Sequence, residues 1–202
     1  MNPVRIVVFA KAPQPGLAKT RLIPALGAQG AADLARRLLK NTLREALAAQ
    51  VGRVELCVTP AATEPLWQTL DIPREVERTD QGEGDLGARM ARAARRVIDG
   101  GESILLIGTD CPELTADRLR QSAAALCDFD TTLIPAADGG YTLLGLNRFH
   151  PFIFEDIAWS TESVAFETLC RLRQLAWSVQ SHPMLHDIDK PADLKWLDQI
   201  LI

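Results

Sequence analysis

The chain lacks most of the features that would assign a protein to a functional class at first sight. Its four cysteines, Cys57, Cys111, Cys127 and Cys170, are far apart and form no Cys-x-x-Cys pair, so neither a zinc site nor a redox motif is indicated. No apolar run approaches the roughly 20 residues that a membrane span needs. A net charge of −4 also lacks the basic excess of a general nucleic-acid-binding protein.

The N-terminal residues lack the pattern of a signal peptide, because Pro3 and Arg5 interrupt the apolar run and Lys11 follows soon after it. A cytoplasmic protein is therefore predicted. The composition, 47% apolar and 24% charged, is that of an ordinary globular protein. No linker, repeat or low-complexity segment is present, so residues 1–202 are predicted to form a single domain.

Apolar strands alternate with helical stretches along most of the chain, which predicts an α/β fold with a mostly parallel sheet and helices on both faces. The predicted strands are 4–10, 53–59, 75–79, 103–109, 131–136, 141–146 and 177–182, and the predicted helices are 28–49, 62–70, 86–99, 115–127, 161–175 and 191–201. Only a turn signal at 137–140 separates strands 131–136 and 141–146, so a reversed strand or an extension of the sheet is expected there.

A basic loop follows the first strand. Lys11, Lys19 and Arg21 lie within eleven residues of one another, in a segment that Pro13 stiffens and Gly16 frees. In open α/β sheets, ligands bind at the carboxyl ends of the strands. The loop is therefore predicted to bind a nucleotide through its di- or triphosphate; the alternative is an ordinary solvated surface loop.

A glycine-rich segment further along the chain has Gly82, Gly84 and Gly87 at the spacing of a dinucleotide-binding motif. The strand before it is short and polar, and Glu83 and Asp85 would face a pyrophosphate with like charge, so a dinucleotide is disfavoured. Two interpretations stay open. The backbone at Gly82, Gly84 and Asp85 approaches a base or sugar of the nucleotide, or the segment only begins a helix that Asp85 caps.

Carboxylates follow at two later points. Asp110 emerges from the most apolar strand, 103–109, and Asp187 and Asp189 are separated by one residue in an extended segment. Mg²⁺ prefers carboxylate ligands together with substrate phosphates, so these three are predicted to bind Mg²⁺ or Mn²⁺. The alternative is that Asp110 and Asp189 cap the elements that follow them. A nucleophilic role for Cys111 is disfavoured, because no histidine is near it in sequence.

The turn after strand 131–136 contains Asp138 followed by Gly139 and Gly140. It is a tight turn in either interpretation. In the functional one, the two glycines let the backbone approach an acceptor, and Asp138 binds an acceptor hydroxyl.

Five segments together resemble a known bacterial family, the rSAM/selenodomain-associated transferases, which are glycosyltransferase-like. The resemblance implies a GT-A-type nucleotide-diphospho-sugar transferase fold, a single three-layer α/β/α domain with a mostly parallel sheet. More distantly, the chain is similar to 2-phospho-lactate guanylyltransferase and molybdenum-cofactor cytidylyltransferase. The segments that carry the resemblance are residues 9–22, 82–90, 108–112, 138–141 and 159–161.

Together with the charged residues described above, the resemblance leads to the prediction of a metal-dependent transferase in which Lys19, Arg21, Asp110 and Asp138 are the catalytic residues. The predicted reaction is nucleotidyl transfer from a nucleoside triphosphate to a small phosphorylated acceptor. Two departures bear on this. Ala10 to Pro13 replace the Gly-Gly pair common in nucleotidyltransferases, and residues 110–112 supply one carboxylate where metal-dependent glycosyltransferases have Asp-x-Asp. Glycosyl transfer from a nucleotide-sugar and a non-catalytic nucleotide-binding module are the alternatives.

Overall fold

A computed structural model describes residues 2–197, and among them one seven-stranded sheet forms the centre of the molecule. The strand order is β3-β2-β1-β4-β6-β5-β7. The strands are β1 (Val4–Lys11), β2 (Gly52–Thr59), β3 (Glu77–Asp80), β4 (Ser103–Ile107), β5 (Thr131–Pro135), β6 (Tyr141–Leu146) and β7 (Val179–Ser181).

β6 is the reversed strand of this sheet. It pairs antiparallel with both β4 and β5, whereas the other pairings of the described residues are parallel. The reversal expected at the 137–140 turn is confirmed. Because the remaining strands share one direction, their carboxyl ends all lie at the same edge of the sheet.

Helices cover both faces of the sheet, as the alternating pattern predicts. α1 (Ile23–Ala49) and α3 (Ala116–Ala125) pack on one face, where Ile6 and Val8 of β1 point. α2 (Leu86–Asp99) and α4 (Val164–Gln174) pack on the other, where Val7 points. Successive residues of a strand face opposite sides, so β1 contributes to both cores and is buried from both directions.

Two of the predicted helices contain a 3₁₀ helix instead of an α-helix in the described part of the chain. Residues 62–70 form only a 3₁₀ turn at Pro65–Thr69, after which Leu70 returns to extended backbone. Proline begins this segment, and it is too short to bury a full helical face. Within the predicted helix 191–201 the structure has a 3₁₀ helix at Pro191–Trp196, and residues 198–201 lie outside the described residues. None of the helices between residues 2 and 197 combines the length and apolarity that crossing a membrane requires.

Candidate active site

Charged residues from distant parts of the chain meet at the carboxyl edge of the sheet. The Lys19 Nζ lies 2.7 Å from Asp110 Oδ1 and 2.8 Å from Asp189 Oδ1, and it donates a hydrogen bond to the Ile188 carbonyl at 2.6 Å. The backbone adds a further tie, because the amide of Ile188 donates to the carbonyl of Asp110 at 2.8 Å. The basic loop after β1, the segment after β4 and the segment near residue 189 are thereby joined at one point.

Lys19 is a buried cation, with only 7% of its side chain exposed. Burial by itself lowers the pKa of a lysine, but the carboxylates of Asp110 and Asp189 outweigh this effect and raise the pKa of Lys19 above its ordinary value. The side chain is therefore an ammonium ion at neutral pH. Because both of its carboxylate partners line cavities, Lys19 fixes the walls of the site as well as supplying charge.

The first cavity, of about 480 Å³, lies between the basic loop and the carboxyl ends of β1 and β4. Lys11 and Arg21 line it from the loop, and Asp110 and Asp189 also line it. Lys11 and Arg21 are exposed, and neither forms an ion pair with another residue of the described chain. The loop therefore presents two cations to the cavity that have no carboxylate of their own to neutralise them.

A second cavity, of about 780 Å³, adjoins the first through Arg21 and Asp189, which line both. Asp138, from the turn after β5, and Asp187 also line it. Gly139 explains how this wall forms. Its φ is +91°, and a Cβ atom there would lie 2.1 Å from the carbonyl oxygen of Glu162. Only glycine lets the turn pack against the loop before α4 in this way.

Among the carboxyl groups of residues 2–197, that of Asp187 has the most strongly raised pKa. Burial and the neighbouring charges of Asp110, Asp138 and Asp189 raise its pKa to about 8. Among residues 2–197 its carboxylate has no hydrogen-bond or ion-pair partner. Three other carboxyl groups thus lie near Asp187, and Lys19 offsets only part of their charge.

This donor set suits a hard divalent cation. Asp110, Asp187 and Asp189 supply the carboxylate oxygens that Mg²⁺ and Mn²⁺ prefer, and the partnerless Asp187 would gain most from a cation. The three are not preformed as a metal cluster, since no group of three His, Cys, Asp or Glu residues in the described part of the chain has that arrangement. In this structure the Lys19 ammonium bridges Asp110 and Asp189 instead. The metal role of the three carboxylates stays a prediction.

The glycine-rich segment before α2 makes the contacts of a helix entry. Asp85 Oδ1 accepts a hydrogen bond from the Ala88 amide at 2.8 Å and so caps α2. Gly82 has φ +74°, and a Cβ atom there would lie 2.6 Å from the Arg92 guanidinium. Neither Gly82, Gly84 nor Asp85 lines the first or second cavity. Of the two interpretations, these contacts match the capping one, and a role in nucleotide binding stays a prediction.

Two predicted residues of the basic loop serve its shape. Pro13 is buried, and Gly16 lies at the exposed tip with φ +79° and open space around it. Neither lines the first cavity, so a direct contact with a nucleotide stays a prediction for both.

Cys111 is only 6% exposed, and burial raises the pKa of its thiol. A thiolate nucleophile is therefore disfavoured at this position, as the sequence also indicates.

Gln81 belongs to the site although sequence patterns did not single it out. It lies at the carboxyl end of β3, lines the first cavity and is 5% exposed. Its side-chain amide donates to the carbonyls of Ala10 at 3.2 Å and Cys57 at 3.0 Å, and so joins the ends of three strands. Its position directly before Gly82, at the end of a strand, was the available signal.

The fold is that of nucleotide-diphospho-sugar transferases. A crystal structure from Desulfovibrio desulfuricans G20, provisionally described as such a transferase, is 31% identical, with a TM-score of 0.90 over 98% of this chain and 87% of that one. A nucleotidyl transferase from Methanothermobacter matches at 18% identity and TM-score 0.61, over 100% and 99% of the two chains. Rv0371c from Mycobacterium tuberculosis H37Rv, in complex with manganese, is 17% identical, with a TM-score of 0.55 over 96% of this chain and 97% of that one. The last two, being distant in sequence, establish the fold alone.

The family model described as "uncharacterized protein conserved in bacteria (DUF2064)" matches residues 42–161, and the chain belongs to this family. A search of curated proteins found no match. The predicted three-layer, GT-A-type fold is confirmed, and the predicted transferase class agrees with the transferases among the structural neighbours.

Proposed function

We propose that the protein is a Mg²⁺- or Mn²⁺-dependent transferase that binds the polyphosphate of a nucleotide in the first cavity and an acceptor in the second. The two cavities share charged residues, which supports this proposal. Arg21 and Asp189 line both cavities, and Lys19 joins Asp189 to Asp110 between them. A group transferred from one ligand to the other would pass the same charged residues. The manganese complex of Rv0371c supports a divalent ion in this fold.

In the leading version, the reaction is nucleotidyl transfer. An oxygen of a phosphorylated acceptor attacks the α-phosphorus of a nucleoside triphosphate, the bond to the bridging oxygen breaks, and pyrophosphate leaves. Arg21 can contact two phosphate oxygens at once, and Lys11 adds a mobile point charge. Arg21 and Lys190, which both line the second cavity, would hold the acceptor phosphate. Such a site works by positioning its ligands and neutralising charge.

Asp110 and Asp187, with Asp189, would hold the divalent ion, which when bound would supply positive charge next to the phosphates. Lys19 is engaged by two carboxylates in the structure, and we assign to it the positioning of Asp110 and Asp189. A phosphate group that contacted Lys19 directly would have to compete with those two ion pairs.

A second version, glycosyl transfer from a nucleotide-sugar, is favoured by the charge of the second cavity. Five carboxylates line it against two cations, Arg21 and Lys190. Carboxylates accept hydrogen bonds from hydroxyl groups and repel phosphates, so this lining suits a hydroxyl acceptor. Asp138 or Asp187 would take the proton of that hydroxyl. The carboxylates are Asp138, Glu162, Asp187, Asp189 and Asp193.

The test begins with the thermal stability of the protein in the presence of nucleotides and nucleotide-sugars, with and without Mg²⁺, because a ligand of the native state raises its melting temperature. The stabilising compounds are then supplied with label in the α-phosphate or in the sugar. α-Phosphate label in the acceptor would support nucleotidyl transfer, and transfer of the sugar with release of nucleoside diphosphate would support glycosyl transfer. Nucleotide binding without turnover would favour the non-catalytic module.

Asp110→Asn is the matched variant for this test, with Asp128→Asn as its control, because Asp128 is exposed and lies outside both cavities. Loss of the Mg²⁺-dependent stabilisation in Asp110→Asn alone is the expected result. No stabilisation by any nucleotide in the unaltered protein would contradict the proposed function.

A further inference from the structure

Two large apolar side chains on the wall of the first cavity are left exposed, and the reaction as proposed gives neither of them a role. Leu17 is 54% exposed and Leu86 is 42% exposed, and both line that cavity. A single exposed leucine needs no explanation. Two exposed leucines in a cavity that also contains unpaired cations do need an explanation. Together, the leucines and the cations offer apolar and charged contacts to one ligand.

Both leucines are presented by fixed backbone. The amide of Leu17 donates to the Gln14 carbonyl at 3.1 Å, and the next amide donates to the same oxygen at 3.0 Å, so the loop tip is a closed turn. Lys19, two residues further on, anchors that turn through its carboxylates. Leu86 is the first residue of α2, where the Asp85 cap fixes the backbone. Little ordering would therefore be needed on ligand binding.

A nucleotide has the two chemistries that this cavity combines. Its phosphates match Lys11 and Arg21, and the flat faces of its base match apolar side chains. We infer that Leu17 and Leu86 hold the nucleobase in the first cavity, an assignment that rests on the proposed function.

The leucines contribute affinity without choosing the base, because the faces of all bases are similarly apolar and carry no hydrogen-bond pattern. Gln81 adds no free amide donor for base choice. Its amide group already donates to the Ala10 and Cys57 carbonyls, and its oxygen accepts from Arg89 at 3.3 Å.

The experiment compares two kinds of Mg²⁺ complex by calorimetry. The nucleotides are the di- and triphosphates of each nucleoside, and the reference ligands are inorganic pyrophosphate and tripolyphosphate, which lack a base. Leu17→Ala and Leu86→Ala should each weaken nucleotide binding about five- to tenfold, since each removes apolar contact area. Binding of pyrophosphate and tripolyphosphate should be unchanged, and the loss should be the same for all bases.

Leu26→Ala is the control, since Leu26 is also partly exposed, at 37%, but does not line the first cavity. Leu17→Met and Leu86→Met, which keep the apolar volume, should restore most of the affinity. Unchanged nucleotide affinity in the alanine variants, or an equal loss for tripolyphosphate, would overturn the assignment. If the unaltered protein bound tripolyphosphate but gained nothing from a nucleoside, the leucine assignment would fail and the phosphate site would stand. If it bound neither, the proposed function itself would fail.

Discussion

Two clusters of basic and acidic side chains lie at opposite ends of the same sheet. Toward the amino ends of the strands, Arg5 bonds to Glu102 at 2.7 Å and to Glu55 at 3.1 Å, and Arg96 also bonds to Glu55. At the carboxyl ends, Lys19 bonds to two aspartates, while Asp187 has no partner among the described residues.

The two clusters shift the pKa values of their carboxyl groups in opposite directions. Burial opposes the charge of both Glu55 and Asp187. The bonds that Arg96, Thr79 and Arg5 donate lower the pKa of Glu55 nevertheless, whereas burial and nearby carboxylates together raise the pKa of Asp187 to about 8. A cluster whose charges are all paired serves the fold. One that keeps a partnerless carboxyl with a raised pKa at a cavity is suited to a ligand.

The largest expected effect concerns the paired cluster. Glu55→Ala would leave Arg5 and Arg96 without their shared partner, and removing one member of a buried ion pair typically costs about 3–5 kcal/mol. Urea unfolding measures the loss. The exposed Glu64→Ala should change the free energy of unfolding by less than about 0.5 kcal/mol. If Glu55→Ala also lost less than about 0.5 kcal/mol, the cluster around Glu55 would not stabilise the fold.

Asp110→Asn, in contrast to Glu55→Ala, should weaken ligand binding and leave the stability of the protein nearly unchanged. It removes a charge that the metal-nucleotide complex needs, so its affinity for that complex should fall about 100-fold, or about 2.7 kcal/mol. Its free energy of unfolding should change little, because Lys19 keeps its bonds to Asp189 and the Ile188 carbonyl. Calorimetry and urea unfolding on the same sample measure both. Equal losses in stability and affinity would show that the two clusters do not differ in their roles.

Asp187→Asn should stabilise the protein at high pH. The pKa of Asp187 is about 8 in the folded state against an ordinary value of 3.8, so the folded protein binds the proton more tightly. Stability therefore falls as pH rises from about 4 to about 8, and the asparagine removes that fall. The expected gain is about 2 kcal/mol at pH 9 and none at pH 3.5, as measured by urea unfolding. A gain that is the same at both pH values would contradict the raised pKa.

The smallest expected effect comes from Arg21→Lys. The substitution keeps the charge but loses the planar group that contacts two phosphate oxygens, so tripolyphosphate affinity should fall about tenfold, or about 1.4 kcal/mol. Arg36→Lys, on the exposed face of α1, is the matched control and should bind as the unaltered protein does. Calorimetry in the presence of Mg²⁺ decides between the two. An unchanged affinity would remove Arg21 from the phosphate contacts.

Much of the fold could be predicted from local pattern. Apolar strands such as β1 and β4 are evident from their residues alone, and the turn at 137–140 announced the reversed β6. The convergence of Arg21 with Asp110 follows from the rule that parallel strands end at one edge. The predicted helix 62–70 failed because local apolar spacing does not reveal that Leu70 returns to extended backbone.

The pairing within the site was less accessible. Lys19 and Asp189 are 170 residues apart, and no local pattern states that their side chains bond. The same limit hid the first cluster, since Glu55 reads as an ordinary charged residue within an apolar strand. Its role depends on Arg5, Arg96 and Thr79, which lie on three other elements. Which charges are paired depends on the folded arrangement, whereas the sequence shows only which charged residues are present.

In the proposed complex, cations near residue 20 and carboxylates near residues 110 and 187 surround one polyphosphate. A crystal structure with Mn²⁺ and a non-hydrolysable nucleoside triphosphate would show this arrangement, because manganese can be located by its anomalous scattering. We expect manganese bonded to Asp110 and Asp187, with phosphate oxygens in contact with Arg21. A nucleotide bound away from the first cavity, or manganese bound away from both aspartates, would contradict the account.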